Sequence, residues 1–109
     1  MPRPTELLPG TLELLILRTL ELGPLHGLGV SDRIKQVTRG VFQVKPGSLF
    51  PALHRLEQNG AIEGSWAPSE NNRRARYYRL IAIGRKQLAE EQKNWTRLTQ
   101  AVASVLQVA

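Results

Sequence analysis

The last quarter of the chain limits most strongly how the rest can fold. From Ile83 almost to the end the residues favour a helix, and apolar side chains recur at near-heptad spacing over about 24 residues, interrupted by Glu91. A helix this long extends beyond the small domain before it, so its apolar stripe is predicted to pair with a second copy. The predicted interface positions on this helix are Leu88, Trp95, Leu98, Val102 and Val105.

The first predicted helix, from Thr11 to Leu22, ends at Gly23-Pro24 and is apolar on almost every side. Such helices are usually covered on more than one side. Leu14 and Leu17 lie outside the broad apolar face, so a second subunit is predicted to cover them. The residues of that broad face are Leu12, Leu15, Ile16, Leu20 and Leu22.

The next segment predicts a second helix, roughly from Leu28 to Thr38, with Gly40 as its C-terminal cap. Its apolar positions at helical spacing are Val30, Ile34 and Val37. The residues Val41 to Val44 alternate weakly, which predicts a short strand.

A third helix is predicted from about Pro46 to Asn59, ended by Gly60. Its first residue, Pro46, is tolerable because the N–H groups of a first helical turn have no partner within the helix. The predicted buried face consists of Leu49, Ala52, Leu53 and Leu56, and the opposite face is short and polar.

Two β-like runs, AIEGSWA and ARYYRLI, predict a hairpin, and the sequence PSENNRR between them predicts a seven-residue loop. The two-residue period of a strand places Tyr78 and Leu80 on the inward side. Trp66 is expected to pack against the body of the domain.

Positive charge is concentrated around this hairpin. The chain has 109 residues and a formal net charge of +6, from 15 Lys and Arg against 9 Asp and Glu. The window from Asn71 to Lys86 holds six of the basic residues and no acid, so nine basic and nine acidic residues remain elsewhere. A balanced domain with one cationic patch predicts a polyanionic partner, with nucleic acid favoured over an anionic membrane surface.

Several other classes are disfavoured. The chain has no cysteine, and it has neither a secretion signal nor a long apolar run, so no membrane association and a cytoplasmic location are expected. His26 and His54 stand alone, which predicts no metal site. No nucleophile with its base, no carboxylate pair and no phosphate loop can be assembled, so neither an enzyme nor a cofactor is expected.

The predicted order of elements, mostly helical with one small hairpin, is that of a winged helix-turn-helix. In this architecture the third helix enters the DNA major groove, and the hairpin, or wing, reaches the adjacent backbone or minor groove. We expect residues 1–82 to form this DNA-binding domain with an N-terminal helix, and residues 83–109 to form a dimerisation helix.

Three blocks of the sequence carry a family resemblance. GTLELLILRTLELGPLHGLGV, KPGSLFPALHRLEQNGAIEG and RRARYYRLIAIGRKQLAEE resemble, in this order, the PadR-type transcriptional regulators over nearly the whole chain. The length is similar to that of the short branch of the family, which has a single C-terminal helix.

The resemblance implies a homodimeric bacterial transcription factor, generally a repressor, that binds double-stranded DNA at a pseudo-palindromic operator. It places contacts on the third helix and on the wing arginines. Together with the neighbouring residues of both elements, the candidate DNA contacts are Lys45, Ser48, Phe50, Pro51, His54 and Arg55 on the helix, and Asn72, Arg73, Arg74 and Arg76 on the wing.

Three residues depart from the family pattern. Phe50 and Leu28 stand where the family usually has tyrosine, so two hydroxyl groups that could contact DNA are missing. Ile81 occupies the usual threonine position before the last helix, where a hydroxyl N-cap would contribute about 1 kcal/mol.

Trp95 has two interpretations. It can fill the dimer interface as an apolar side chain, or it can flank a cavity in which a flat aromatic effector stacks between two indoles. For the whole protein, the alternatives to a specific regulator are a winged-helix protein-interaction adaptor and a non-specific DNA-binding or RNA-binding protein.

Overall fold

A computed structural model describes residues 10–108; residues 1–9, where the sequence predicts no secretion signal, and residue 109 lie outside the described part. Four helices and a small antiparallel sheet confirm the predicted mostly helical class. In chain order the elements are α1 (Thr11–Glu21), β1 (Leu25–His26), α2 (Gly27–Val37), α3 (Pro46–Gln58), β2 (Ile62–Pro68), β3 (Arg74–Leu80) and α4 (Ala82–Gln107).

The core lies where α1, α2 and α3 meet the sheet and the start of α4. On α3 the predicted buried face is confirmed, and Tyr78 and Leu80 of β3 point into the same core. On α1 the predicted face is wrong at two positions: Leu17 is fully buried within the single chain, whereas Leu22 is two-thirds exposed. Leu17 is therefore not available to a second subunit. Val37, at the end of α2, is also exposed rather than packed.

The sheet has the strand order β1, β3, β2, and both pairings are antiparallel. Besides the two strands of the hairpin, the sheet contains β1, Leu25–His26, which pairs with Tyr77 and Tyr78 of β3. The predicted strand at Val41 to Val44 is wrong, because this segment is irregular loop. The hairpin of β2 and β3 is confirmed, but the strands continue to Pro68 and from Arg74, so its loop has five residues rather than seven.

The first turns of α4 belong to this core. Gly84 approaches Ala61 so closely that a Cβ atom on Gly84 would lie 2.1 Å from the Ala61 carbonyl oxygen. Leu88, four residues later, is buried against the rest of the chain, which corrects its assignment to the dimer interface. From Gln92 to Val108, by contrast, every residue is exposed. In the described range, no helix is both long enough and apolar enough to cross a membrane.

Candidate nucleic-acid interface

The exposed face of α3 carries the predicted helix contacts. Lys45 has an extended backbone and precedes Pro46, the first residue of the helix, and its carbonyl oxygen accepts from the backbone N–H groups of Ser48 and Leu49. The structure leaves all six predicted positions exposed and brings them together along this element: Lys45, Ser48, Phe50, Pro51, His54 and Arg55. The middle of the face remains open to a partner because the buried residues lie on the opposite side.

One edge of this face is tied to α1. Arg55 donates from Nε and Nη2 to Oε1 of Glu13, over 3.2 and 2.9 Å. The pair joins residues 42 positions apart, so sequence spacing alone could not reveal it. Arg55 is still 56% exposed in its side chain, and its guanidinium group lies beside α1.

Phe50 lies at the opposite edge and packs partly against the start of α2. A Cβ atom on Gly27 would lie 2.7 Å from Cε1 of Phe50, so the absence of a side chain at Gly27 allows the two helices to approach. His26 forms the N-cap of α2, because its Nδ1 accepts from the Gly29 backbone N–H over 2.9 Å. Its ring also meets Tyr77 edge to face at 5.4 Å between centroids. Neither of these contacts of His26 was predicted from the sequence.

The tip of the wing, the segment Ser69–Arg74, contains a tight turn. Ser69 donates its backbone N–H to the Arg73 carbonyl oxygen over 2.7 Å, and Asn72 donates to the Ser69 carbonyl oxygen over 2.9 Å. Asn72 has a φ of 59°, a left-handed conformation that asparagine adopts more readily than most residues. Arg73 and the adjacent Arg74 are exposed, and neither forms an ion pair with a carboxylate in the described residues. Their charge is available to a polyanion.

Arg76 differs from these two arginines. Its Nη2 forms an ion pair with Oε2 of Glu57 on α3, and this hydrogen bond raises the pKa of Arg76. The guanidinium group also lies 5.9 Å from the ring centroids of Trp66 and Tyr78. Burial raises the pKa of the Tyr78 phenol, and the nearby Arg76 opposes that shift. Arg76 is therefore engaged within the protein, unlike the arginines at the tip.

Trp66 is 57% exposed on the hairpin, so the prediction that it packs against the body of the domain is wrong. Its register partner is Arg76, and the guanidinium of Arg74 lies 5.6 Å from the indole centroid. Two cations thus flank one exposed aromatic ring on the wing. Such contacts order the arginine side chains without neutralising their charge.

A groove of about 240 Å³ lies between the start of α1 and the middle of α4. It contains Trp95, which is 39% exposed, together with Leu98 and Leu14 from the predicted dimer interface. Glu91 also lines it, and its Oε2 is buried without a hydrogen-bond partner in the part of the chain described. Val102 and Val105 continue the exposed apolar stripe towards the end of α4.

No cluster of three or more His, Asp or Glu side chains that could hold a metal ion occurs among residues 10–108. His26 is used as a helix cap, and His54 lies exposed on α3.

Comparisons with known proteins agree with this geometry. A family model described as the transcriptional regulator PadR-like family matches residues 16–90. The chain is also 31% identical over 77 residues to the transcriptional regulator Rv3488 of Mycobacterium tuberculosis. The aligned region covers 71% of this chain and 68% of that protein.

Two solved structures have a similar fold. A transcriptional regulator from Clostridium thermocellum has a TM-score of 0.80 at 27% identity, covering 87% of this chain and 89% of that one. A PadR-like transcriptional regulator from Bacillus cereus has a TM-score of 0.79 at 27% identity, covering 92% and 95%. These similarities confirm the predicted winged helix-turn-helix fold.

Proposed function

This chain belongs to the PadR-like family of transcriptional regulators, and from that premise we propose that it binds a pseudo-palindromic operator as a homodimer and represses transcription. It is a DNA-binding regulator and not an enzyme. One observation carries the proposal: the polar face of α3 and the unpaired arginines of the wing tip are both uncovered. These are the two surfaces with which a winged helix contacts DNA.

The two surfaces have different tasks. Side chains on α3, with His54 near the centre of the exposed face, read base edges in the major groove. Arg73 and Arg74 contact phosphates or enter a narrow minor groove, which adds affinity that depends little on sequence. Specificity therefore comes from α3, and much of the salt-dependent affinity comes from the wing.

The apolar stripe on the exposed part of α4 supports a homodimer. Leu98 and Val102 are each 49% exposed, and Trp95 lies one helical turn before Leu98. In a symmetric dimer the same stripe on both copies covers itself. Two α3 helices would then stand about one DNA turn apart, ~34 Å, so that each reads one half-site.

Repression follows from this arrangement when an occupied operator excludes the polymerase. A flat aromatic effector in the groove beside Trp95 would change the angle between the subunits and thus the spacing of the α3 helices. A coupling of about 1–3 kcal/mol is typical of such allosteric control.

The decisive experiment is selection of bound DNA from genomic fragments with purified protein. We expect a palindromic motif whose half-sites are separated by about one helical turn. A dimer that neutralises ~4 phosphates per subunit should lose affinity with a log–log salt slope near ~7. Recovery of unrelated sequences at physiological salt would contradict a specific regulator, and the absence of any duplex binding would favour a protein-interaction adaptor.

The effector proposal has its own test. In a Trp66→Phe background, Trp95 is the single tryptophan, so flat aromatic compounds can be titrated against its fluorescence. We expect a saturable change that disappears in Trp95→Ala and that accompanies release of operator DNA. A broad panel without any saturable response would count against an effector at this groove.

A further inference from the structure

Within the described residues, the side-chain hydrogen bonds between α3 and the hairpin centre on Glu57, near the end of that helix. Oε2 of Glu57 accepts from the Gly64 backbone N–H over 3.2 Å and also forms the ion pair with Arg76. Glu57 is the one α3 side chain whose hydrogen bonds reach the hairpin in the described residues. It thus joins the helix that reads bases to the wing that contacts the backbone.

The space for this cluster is provided by Gly64. A Cβ atom on Gly64 would lie 2.6 Å from Nε of Arg76, so a larger residue would displace the guanidinium group. Arg76 consequently extends across the hairpin, where it pairs with Glu57 and lies over the rings of Trp66 and Tyr78. A guanidinium that donates to a carboxylate and contacts two rings is held in one orientation.

The outer part of the wing has little other support. β1 pairs with β3 at Tyr77 and Tyr78, while Arg74 to Arg76 pair only with β2 among the described strands. An isolated two-stranded ribbon is only marginally stable, and its direction varies easily. Without the Glu57 cluster, the tip would keep its charge but lose its fixed direction relative to α3.

We propose that Glu57 and Arg76 are positioning residues, which fix the wing against α3 so that both surfaces engage DNA together. Arg76 then is not one of the phosphate contacts, although the sequence had placed it with Arg73 and Arg74. This inference rests on the proposed specific DNA binding. It adds that one acidic residue beside the interface increases affinity for a polyanion.

The direction in which Glu57→Gln changes DNA affinity distinguishes a positioning role from a purely electrostatic one. The substitution removes one negative charge, so the formal net charge of +6 becomes +7, and long-range attraction alone predicts tighter DNA binding. Loss of the cluster predicts weaker binding, by roughly 3- to 10-fold, because coupled polar groups commonly interact by amounts of this size.

Glu63→Gln is the matched control. Glu63 also forms an ion pair with an arginine, Arg79, but both partners belong to the hairpin and both side chains are more than half exposed. This variant removes the same charge without releasing the wing from α3. Its binding should be equal to that of the unmodified protein or slightly tighter.

The probe is the duplex that the unmodified protein selects, measured by fluorescence anisotropy at several salt concentrations. Glu57→Gln and Arg76→Gln should weaken binding similarly, with an unchanged salt slope, and the double variant should be no weaker than either single one. Arg73→Ala should instead reduce the salt slope by about 1 per subunit, as expected for a lost phosphate contact.

Two further measurements keep the test independent of folding defects. Arg76→Lys keeps the charge but loses the planar guanidinium, so weaker binding by this variant also supports positioning. In a Trp95→Phe background, Trp66 emission should change in Glu57→Gln while the far-UV circular dichroism is retained. Equal or tighter binding by Glu57→Gln, or a salt slope lowered by Arg76→Gln as by Arg73→Ala, would overturn the inference. Failure to select any duplex would instead contradict the proposed function itself.

Discussion

The two halves of α4 have opposite surroundings, although apolar residues recur along both. In the first two turns Gly84 touches the Ala61 carbonyl and Leu88 is buried, so the helix is anchored in the winged-helix core. In the last four turns, roughly from Gln92 onwards, Leu98 and Val102 are half exposed. One end of a continuous helix is therefore fixed to the DNA-binding domain, while the other presents an uncovered surface.

This difference has a mechanical consequence. The helix has 26 residues and is about 39 Å long, so a small rotation of its exposed half moves the anchored domain with it. A contact made near Val102 can thus change the position of α3 without any contact to α3. Regulation through the proposed subunit interface would require no more than this rigid connection.

The largest expected difference between the halves is in stability. Leu88→Ala should lower the free energy of unfolding by about 2–5 kcal/mol, because it opens a cavity in the core. Leu98→Ala removes the same atoms from an exposed position, so its effect should be small at low protein concentration. Denaturant unfolding over a range of protein concentrations checks both values. Equal losses of unfolding free energy in the two variants at every protein concentration would contradict the described difference between the halves of α4.

Substitutions between glycine and alanine provide a second contrast between the two halves of α4, in the sign of the change in stability. Alanine normally favours a helix over glycine by about 1 kcal/mol. Gly84→Ala should nevertheless destabilise the protein by about 1–3 kcal/mol, since the added methyl group would meet the Ala61 carbonyl oxygen. In the exposed half, Ala103→Gly should follow the ordinary helix preference. Thermal unfolding of both variants is sufficient, and a stabilised Gly84→Ala would show that α4 does not press against Ala61.

The contrast between the two halves of α4 also explains which features can be predicted from the sequence. The buried face of α3 was predicted correctly, because Leu49, Leu53 and Leu56 follow one helical face with polar residues opposite. Leu17 and Leu88 were assigned to a second subunit because periodicity reports that a residue is covered, not which chain covers it. That distinction depends on the path of the chain in three dimensions.

The errors in the sheet have a similar origin. β1 comprises only Leu25–His26, too short for any two-residue alternation to be recognised, and it exists because β3 offers an edge to pair with. Arg76 was grouped with the tip arginines because they are adjacent in sequence. Its ion pair with Glu57, 19 residues away, depends on how α3 packs beside the hairpin.

A charge in the exposed half should separate self-association from folding. Leu98→Asp should weaken the proposed dimer by about 10- to 100-fold, since an unpaired carboxylate would be buried there. The monomer should keep its helical circular dichroism, because the core does not include Leu98. Sedimentation velocity measures the association, and anisotropy should show a matching loss of operator binding. A variant that remains dimeric would place the interface elsewhere.

The smallest expected effect concerns Glu91, which lies at the junction of the two halves. Its Oε1 accepts from Gln87, whereas its Oε2 is buried without a partner in the described residues, an arrangement that costs free energy. Glu91→Leu should therefore tighten self-association by about 1 kcal/mol, because it replaces a desolvated carboxylate with an apolar side chain beside Trp95. Glu90→Leu is the control, since Glu90 is exposed on the neighbouring position. Sedimentation equilibrium decides between two arrangements: tighter association by Glu91→Leu alone means that the carboxylate has no partner in the dimer. Weaker association would instead mean that a donor from the second subunit binds Oε2. In that case the fixed part of α4 would extend one turn beyond Leu88, to Glu91, and would meet the proposed interface there.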